Sequence, residues 1–194
     1  MVGGATKAEL RERNRLHPNR GRLVATNPMW GTEYSGPEAA EKGAFAGRTA
    51  VICDSDESDP DALRTVERIY RKFGMPLSYM DSEEHDTHAA YISHISHITS
   101  FALALTVLEK ELEDDRIFEL AGGGFESTVR LAKSSPRTWV PIIMQNKYNV
   151  LDVLREHIHQ LQILRRMIER DDCEGLTESF ARANTIRRIL HPEK

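Results

Sequence analysis

The sequence predicts an α+β protein in two parts, a short α/β segment followed by an all-helical region. Two observations predict this. Short apolar runs bounded by turn formers, the mark of buried strands, occur only before Asp81 and alternate there with helical patterns. From Asp81 onward apolar residues recur at i, i+3, i+4 spacing and no strand-like run interrupts them. Composition sets the frame. The chain has 194 residues, 40% hydrophobic and 29% charged, enough for one large domain or two small ones. A formal net charge of -4 argues against a nucleic-acid surface, and the Arg165/Arg166 and Arg187/Arg188 pairs sit on helical patterns with acids nearby. Cys53 and Cys173 lie far apart in no metal motif, which fits a reduced, cytoplasmic protein with free thiols. The N-terminus has no apolar core for a signal peptide, and no run reaches the apolar length of a membrane span.

Two glycines, Gly3 and Gly4, lead into a charged helical segment, Lys7 to Leu16, and then a loop at His17 to Gly21. Arg22 to Thr26 reads as a buried strand. The loop former-rich stretch Asn27 to Ala40 follows it directly, at the carboxyl end of a strand, where open α/β sheets hold ligands. Thr49 to Asp54 is a second strand. Asp59-Pro60 opens a helix that places Leu63, Val66, Ile69 and Phe73 on one face, and Gly74 stops it. Pro76 to Met80 is a third strand. Three strands are too few for a full sheet, so residues 1–80 read as the C-terminal end of an α/β domain and 81–194 as a helical domain.

Asp81 to about Glu113 predicts one long helix, without Gly or Pro and with Asp81 and Glu84 spaced as a capping box. Its second half (Ile98, Phe101, Ala102, Leu105, Leu108) should be buried. Its first half carries His85, His88, His94 and His97. Ser93 and His97, four apart, share a face, and His94 lies roughly 100° away around the axis. Three readings stand: solvated histidines, a metal shared by His94 and His97 (with no acidic or Cys cluster beside it), or a substrate-facing helix whose Ser93 and His97 bind an anion. Gly122-Gly123-Gly124 reads either as a helix C-terminus with a flexible break or as backbone approached closely by a ligand, with Arg130 as a carboxylate clamp. Helices follow from about Pro136 (Trp139, Ile142, Ile143), Asn146 (Val150, Leu154, Leu161, Ile168) and Leu176 (Phe180, Ile186, Leu190). These apolar stripes are long for so small a unit, which predicts a homodimer.

Three motifs in order, G-T-E-x-S-G-P (Gly31 to Pro37), H-D-x-x-x-A-x-x-S-H-x-x-H (His85 to His97) and G-G-G-F-x-x-x-x-R-x-A (Gly122 to Ala132), resemble the prephenate dehydrogenases. The resemblance covers essentially the whole chain. It implies a Rossmann-type nucleotide-binding domain followed by an all-helical dimerisation domain, NAD or NADP as cofactor, and oxidative decarboxylation of prephenate. It further implies a substrate site of Thr32, Glu33, Ser93, His97, Gly123 and Arg130. The sequence departs from the family pattern in three places. Asn27 stands where the family has its catalytic His, in H-P-M-x-G, and an amide cannot take up a proton at neutral pH. His97 is then the imidazole that would partly substitute. Ala5 stands at the position of a family Ser. No glycine-rich strand-turn-helix for a pyrophosphate is present in these residues, so the sequence reads as N-terminally incomplete. The alternative these departures raise is a non-catalytic homologue, a ligand-binding or dimerising partner subunit.

Overall fold

A computed structural model describes residues 6–31, 34, 36–112 and 116–190. Its contacts divide the chain into two compact units, Met1–Val150 and Leu151–Lys194.

The first unit holds a three-stranded sheet, β1 (Ala25–Pro28), β2 (Ala50–Cys53) and β3 (Leu77–Met80), in the order β1-β2-β3. β2 runs antiparallel to β1 and parallel to β3. All four residues of β2 are buried, as an unalternating apolar run requires of a strand covered on both faces. β1 starts three residues later than the sequence suggested. Residues Arg20–Arg22 form a 3-10 turn instead, held by the Arg20–Glu57 ion pair at 2.5 Å. Pro28 can close β1 because the strand ends there, and Met29 resumes the pairing by donating to the Thr49 carbonyl at 2.8 Å. Helix α1 spans Lys7–Asn14, and α2 spans Pro60–Lys72 with Pro at its first turn. The apolar face expected of α2 is only half covered: Ile69 and Phe73 are exposed, and Phe73 stacks on Phe45.

The long helix is a 30-residue rod, Ser82–Glu111, in three pieces. α3 (Ser82–Ala89) is capped by the Asp81 carboxylate, which accepts from Glu84 N at 2.7 Å. A π-helical turn, Ala90–His94, follows, and then α4 (Ile95–Glu111). Two expectations are corrected here. Ala102, Leu105 and Leu108 are exposed, because no described residue covers that face of α4. The rod is also long and apolar enough to cross a membrane by length and composition, contrary to the sequence reading. Its polar residues Ser82, His85, Asp86, His94, His97 and Ser100 are nevertheless buried in protein.

Next come α5 (Gly123–Val129), a 3-10 turn at Arg130–Lys133, and α6 (Pro136–Gln145). The glycines open a helix, with Gly122 at its N-cap, so the reading of a helix C-terminus is wrong. α7 (Lys147–Glu169) begins in the first unit and ends in the second. The second unit adds α8 (Cys173–Ala183), capped by Asp172, and α9 (Ile186–Leu190). The last helix therefore starts earlier than expected and breaks at Asn184 and Thr185. Leu161, Ile168, Phe180, Ile186 and Leu190 are exposed in this unit. Both cysteines are free, Cys53 buried and Cys173 exposed.

Candidate active site

A cleft of about 350 Å³ opens in the first unit between the end of β1, the rod and α6. Residues Asn27 to Gly31 form one wall, Ala89, Ser93, His94 and His97 the second, and Leu131, Thr138, Trp139 and Ile142 the third. The π-helical turn explains the second wall. In a straight α-helix Ser93, His94 and His97 already fall within about 100° of arc, but Ala89 would lie about 140° from His94. The wider turn at Ala90–His94 shifts the register and brings Ala89 round, so that it lines one cleft with Ser93, His94 and His97.

Hydrogen bonds fix what each imidazole offers. His94 Nδ1 accepts from the Asn146 amide nitrogen at 3.2 Å, so its proton sits on Nε2. Burial pushes the His94 imidazole down to about 4, against the pull of Asp86. It is a neutral donor at pH 7. His97 is set the other way. Its Nδ1 donates to the Ser93 carbonyl at 3.0 Å, which leaves the lone pair on Nε2. The ring stacks on Trp139 at 3.3 Å between centroids. Burial pushes its pKa down, the Ser93 carbonyl opposes this, and the charge of Arg130 pushes it down further. In the neutral form His97 is therefore an acceptor, not the donor to a carboxylate that its sequence position suggested.

Behind the cleft lies a buried polar network. Asp86 accepts from the backbone amides of Lys7 at 2.8 Å and Ala8 at 2.9 Å, and so caps α1 from another helix. The same carboxylate accepts from His85 Nδ1 at 2.9 Å. His85 Nε2 in turn faces the Asn27 amide nitrogen at 2.9 Å. Asn146 donates to the Asp86 carbonyl at 2.7 Å, which ties the start of α7 to the rod.

Of the residues singled out from sequence, Asn27, Ser93 and His97 line the cleft together. Arg130 is exposed and contributes through its charge on His97. Its place is set by Ser100, which donates to the Thr128 carbonyl and accepts from Ala132 N, clamping the turn on either side of Arg130 to α4. Gly123 is exposed, and a Cβ built there meets nothing within 4 Å among the described residues. Thr32, Glu33 and Ala5 lie outside the described residues. Sequence reasoning gave no role to Asp86, Trp139, Ser100 or Asn146, and none to His85 beyond its place in the motif.

Two family models match the chain. The model for the prephenate dehydrogenase nucleotide-binding domain covers residues 2–78, and that for the prephenate dehydrogenase dimerization domain covers residues 81–182. The chain belongs to the prephenate dehydrogenase family. Among its relatives, the prephenate dehydrogenase of Bacillus subtilis (strain 168) is 29% identical over 95% of this chain and 50% of its own length. The cyclohexadienyl dehydrogenase of Zymomonas mobilis is 28% identical over 87% of this chain and 58% of its own. A solved prephenate dehydrogenase from A. aeolicus, in complex with hydroxyphenyl propionate and NAD+, superposes with a TM-score of 0.86 at 28% identity, covering 97% of this chain and 65% of that one. The chain thus spans between half and two thirds of the length of these family members. It joins part of a Rossmann-type nucleotide-binding domain to a helical domain, as the motifs implied.

Proposed function

We propose that this chain carries the substrate-binding part of an NAD(P)-dependent prephenate dehydrogenase, acting in the cytoplasm as a homodimer, with residues 1–80 and 81–194 as its two domains. The observation that carries this reading is the cleft itself. The N-P-M-x-G loop, Ser93, His94 and His97 meet there, in a chain that belongs to the prephenate dehydrogenase family. Prephenate is a dicarboxylate with a ring hydroxyl. The Ser93 hydroxyl, the His94 Nε2–H and the Arg130 charge supply donors for a carboxylate, and Trp139 supplies an apolar wall for the ring. Asn27 meets the hydroxyl and accepts its hydrogen bond. It cannot take the proton, and the His97 Nε2 lone pair takes it when the hydroxyl turns about its C–O bond. Bound NAD(P)+ would supply the acceptor for the hydride of the hydroxyl-bearing carbon. The described residues form no cradle for its pyrophosphate: the Gly122–Gly124 run follows a 3-10 turn rather than a strand.

Titration calorimetry with prephenate tests the site. The chain should bind it, and Arg130→Ala should weaken binding by at least about tenfold. Unchanged affinity in that variant would remove Arg130 from the site, and no binding by the parent chain would refute the reading. Asn27 favours a second reading, a subunit that binds the ligand without turning it over. Asn27→His in a form that binds NAD(P) separates the two. If Asn27 limits the reaction, the His variant should be faster by about 100-fold or more, with its rate falling as the imidazole protonates below about pH 6.5. Equal rates would place the proton acceptor elsewhere.

A further inference from the structure

We propose that His85 is a positioning residue: it holds the Asn27 amide with its nitrogen inward, so that Oδ1 faces the cleft as the acceptor for the ligand's ring hydroxyl. The inference deepens the functional reading above and rests on it. An amide side chain has two ends of opposite character, a donor and an acceptor, and a half-turn exchanges them. On a cleft wall that choice decides whether a hydroxyl hydrogen is welcomed or opposed. Here the choice is made 58 residues away in sequence.

The chain of reasoning begins at Asp86. Its carboxylate can only accept, and it is held in place by two backbone donors at the start of α1. The adjacent His85 Nδ1 therefore carries the proton, donated to Asp86 at 2.9 Å. That leaves a lone pair on Nε2. Only the nitrogen end of Asn27 can satisfy it, and the amide nitrogen lies 2.9 Å away. His85 is 6% exposed, so water does not compete for that lone pair. The opposite amide orientation would set Oδ1 against Nε2 and require a second proton on the ring. Asn27 also sits at a fixed register, paired with Val51 on β2, so its backbone does not turn to compensate. The family reading assigns position 27 to catalysis and gives His85 no role at the hydroxyl.

The test compares two probes, 3-(4-hydroxyphenyl)propionate and 3-phenylpropionate, which differ by the hydroxyl alone. By calorimetry the parent chain should prefer the hydroxylated probe by about tenfold. His85→Leu should abolish that preference and leave the affinity for 3-phenylpropionate unchanged. His85→Gln, which keeps an acceptor for the Asn27 amide, should restore most of it. A purely structural role would instead weaken both probes together in His85→Leu, and that result would overturn the proposal. Imidazole nitrogen NMR of the parent chain supplies a readout that does not depend on the variants folding: His85 should be neutral with its proton on Nδ1. A proton on Nε2 would mean that Asn27 presents the other end, and would also overturn it. If the parent chain binds both probes equally, the hydroxyl contact is absent and the proposal fails while the cleft stands. If it binds neither, the functional reading fails with it.

Discussion

Three histidines within 13 residues do three different things because their partners differ. His94 has the sharpest consequence for stability. Its folded pKa, about 4, lies below the reference value of 6.5. A lowered histidine means that the unfolded chain binds the proton first, so acid favours unfolding. The contribution is intact above pH 6.5 and is lost as pH falls from 6.5 toward 4, by about 3 kcal/mol at most. Urea unfolding at pH 7 and pH 4.5 measures it, and a His94→Gln variant should show a smaller loss between those two conditions. An equal loss in the variant would assign the acid sensitivity to other groups. The meeting of His85 with Asn27 was not legible from the sequence, since no local pattern links positions so far apart. What was legible was chemistry type: hydroxyl, imidazole and guanidinium gathered in motifs. Which imidazole nitrogen keeps its lone pair is set by Asn146 and by the Ser93 carbonyl, and no motif states that.

Helix ends were readable where the signal is local, and misread where packing decides. Asp81 caps α3 as the spacing to Glu84 required. β1 starts at Ala25 rather than Arg22 because Arg22 closes the 3-10 turn and pairs with Asp61 at 2.5 Å. The π-helical turn left no trace in composition, since residues 90–94 contain neither Gly nor Pro. It is the extra residue in this turn that brings Ala89 around to the cleft beside His94, and the exposed Ile92 is the residue most easily removed. Deleting Ile92 should let the rod close into a regular α-helix. Thermal stability should hold or rise slightly, while prephenate affinity falls by more than about tenfold. A deletion variant that keeps its affinity would show that the turn does not shape the site. The cap that Asp86 provides to α1 is a second element-scale device. Asp86→Ala leaves one buried and one half-buried amide and the His85 ring without their acceptor, and should cost about 2–4 kcal/mol in urea unfolding. A cost under about 1 kcal/mol would mean that water replaces the carboxylate.

For the molecule as a whole, exposed apolar side chains outnumber what one chain can cover. Leu105 and Leu108 on α4, and Leu161, Ile168 and Phe180 in the second unit, have no partner surface among the described residues. Their helical spacing was read from the sequence, and the stripes of the second unit were assigned to a partner copy; the burial expected of Leu105 and Leu108 is not found, because periodicity shows that a face is apolar without showing which chain covers it. A second copy is the occupant that the dimerization-domain match favours. Sedimentation should show a dimer at micromolar concentration, and Leu105→Glu with Leu108→Glu should shift it to monomer. A parent chain that sediments as a folded monomer would count against this.

The carboxylate of Asp86 has one more consequence. It ties the amides that open α1 to a helix more than 70 residues later. The change in residue pattern at Met80/Asp81 is therefore not a seam along which the protein can be cut and rejoined. In a chimera, a crossover between Asn14 and Ser82 would pair an α1 from one parent with an α3 from another. Such a graft succeeds only if the incoming α1 meets Asp86 in the same register. Crossovers that carry both helices from one parent keep the contact, and exchange between relatives should tolerate those and reject the rest.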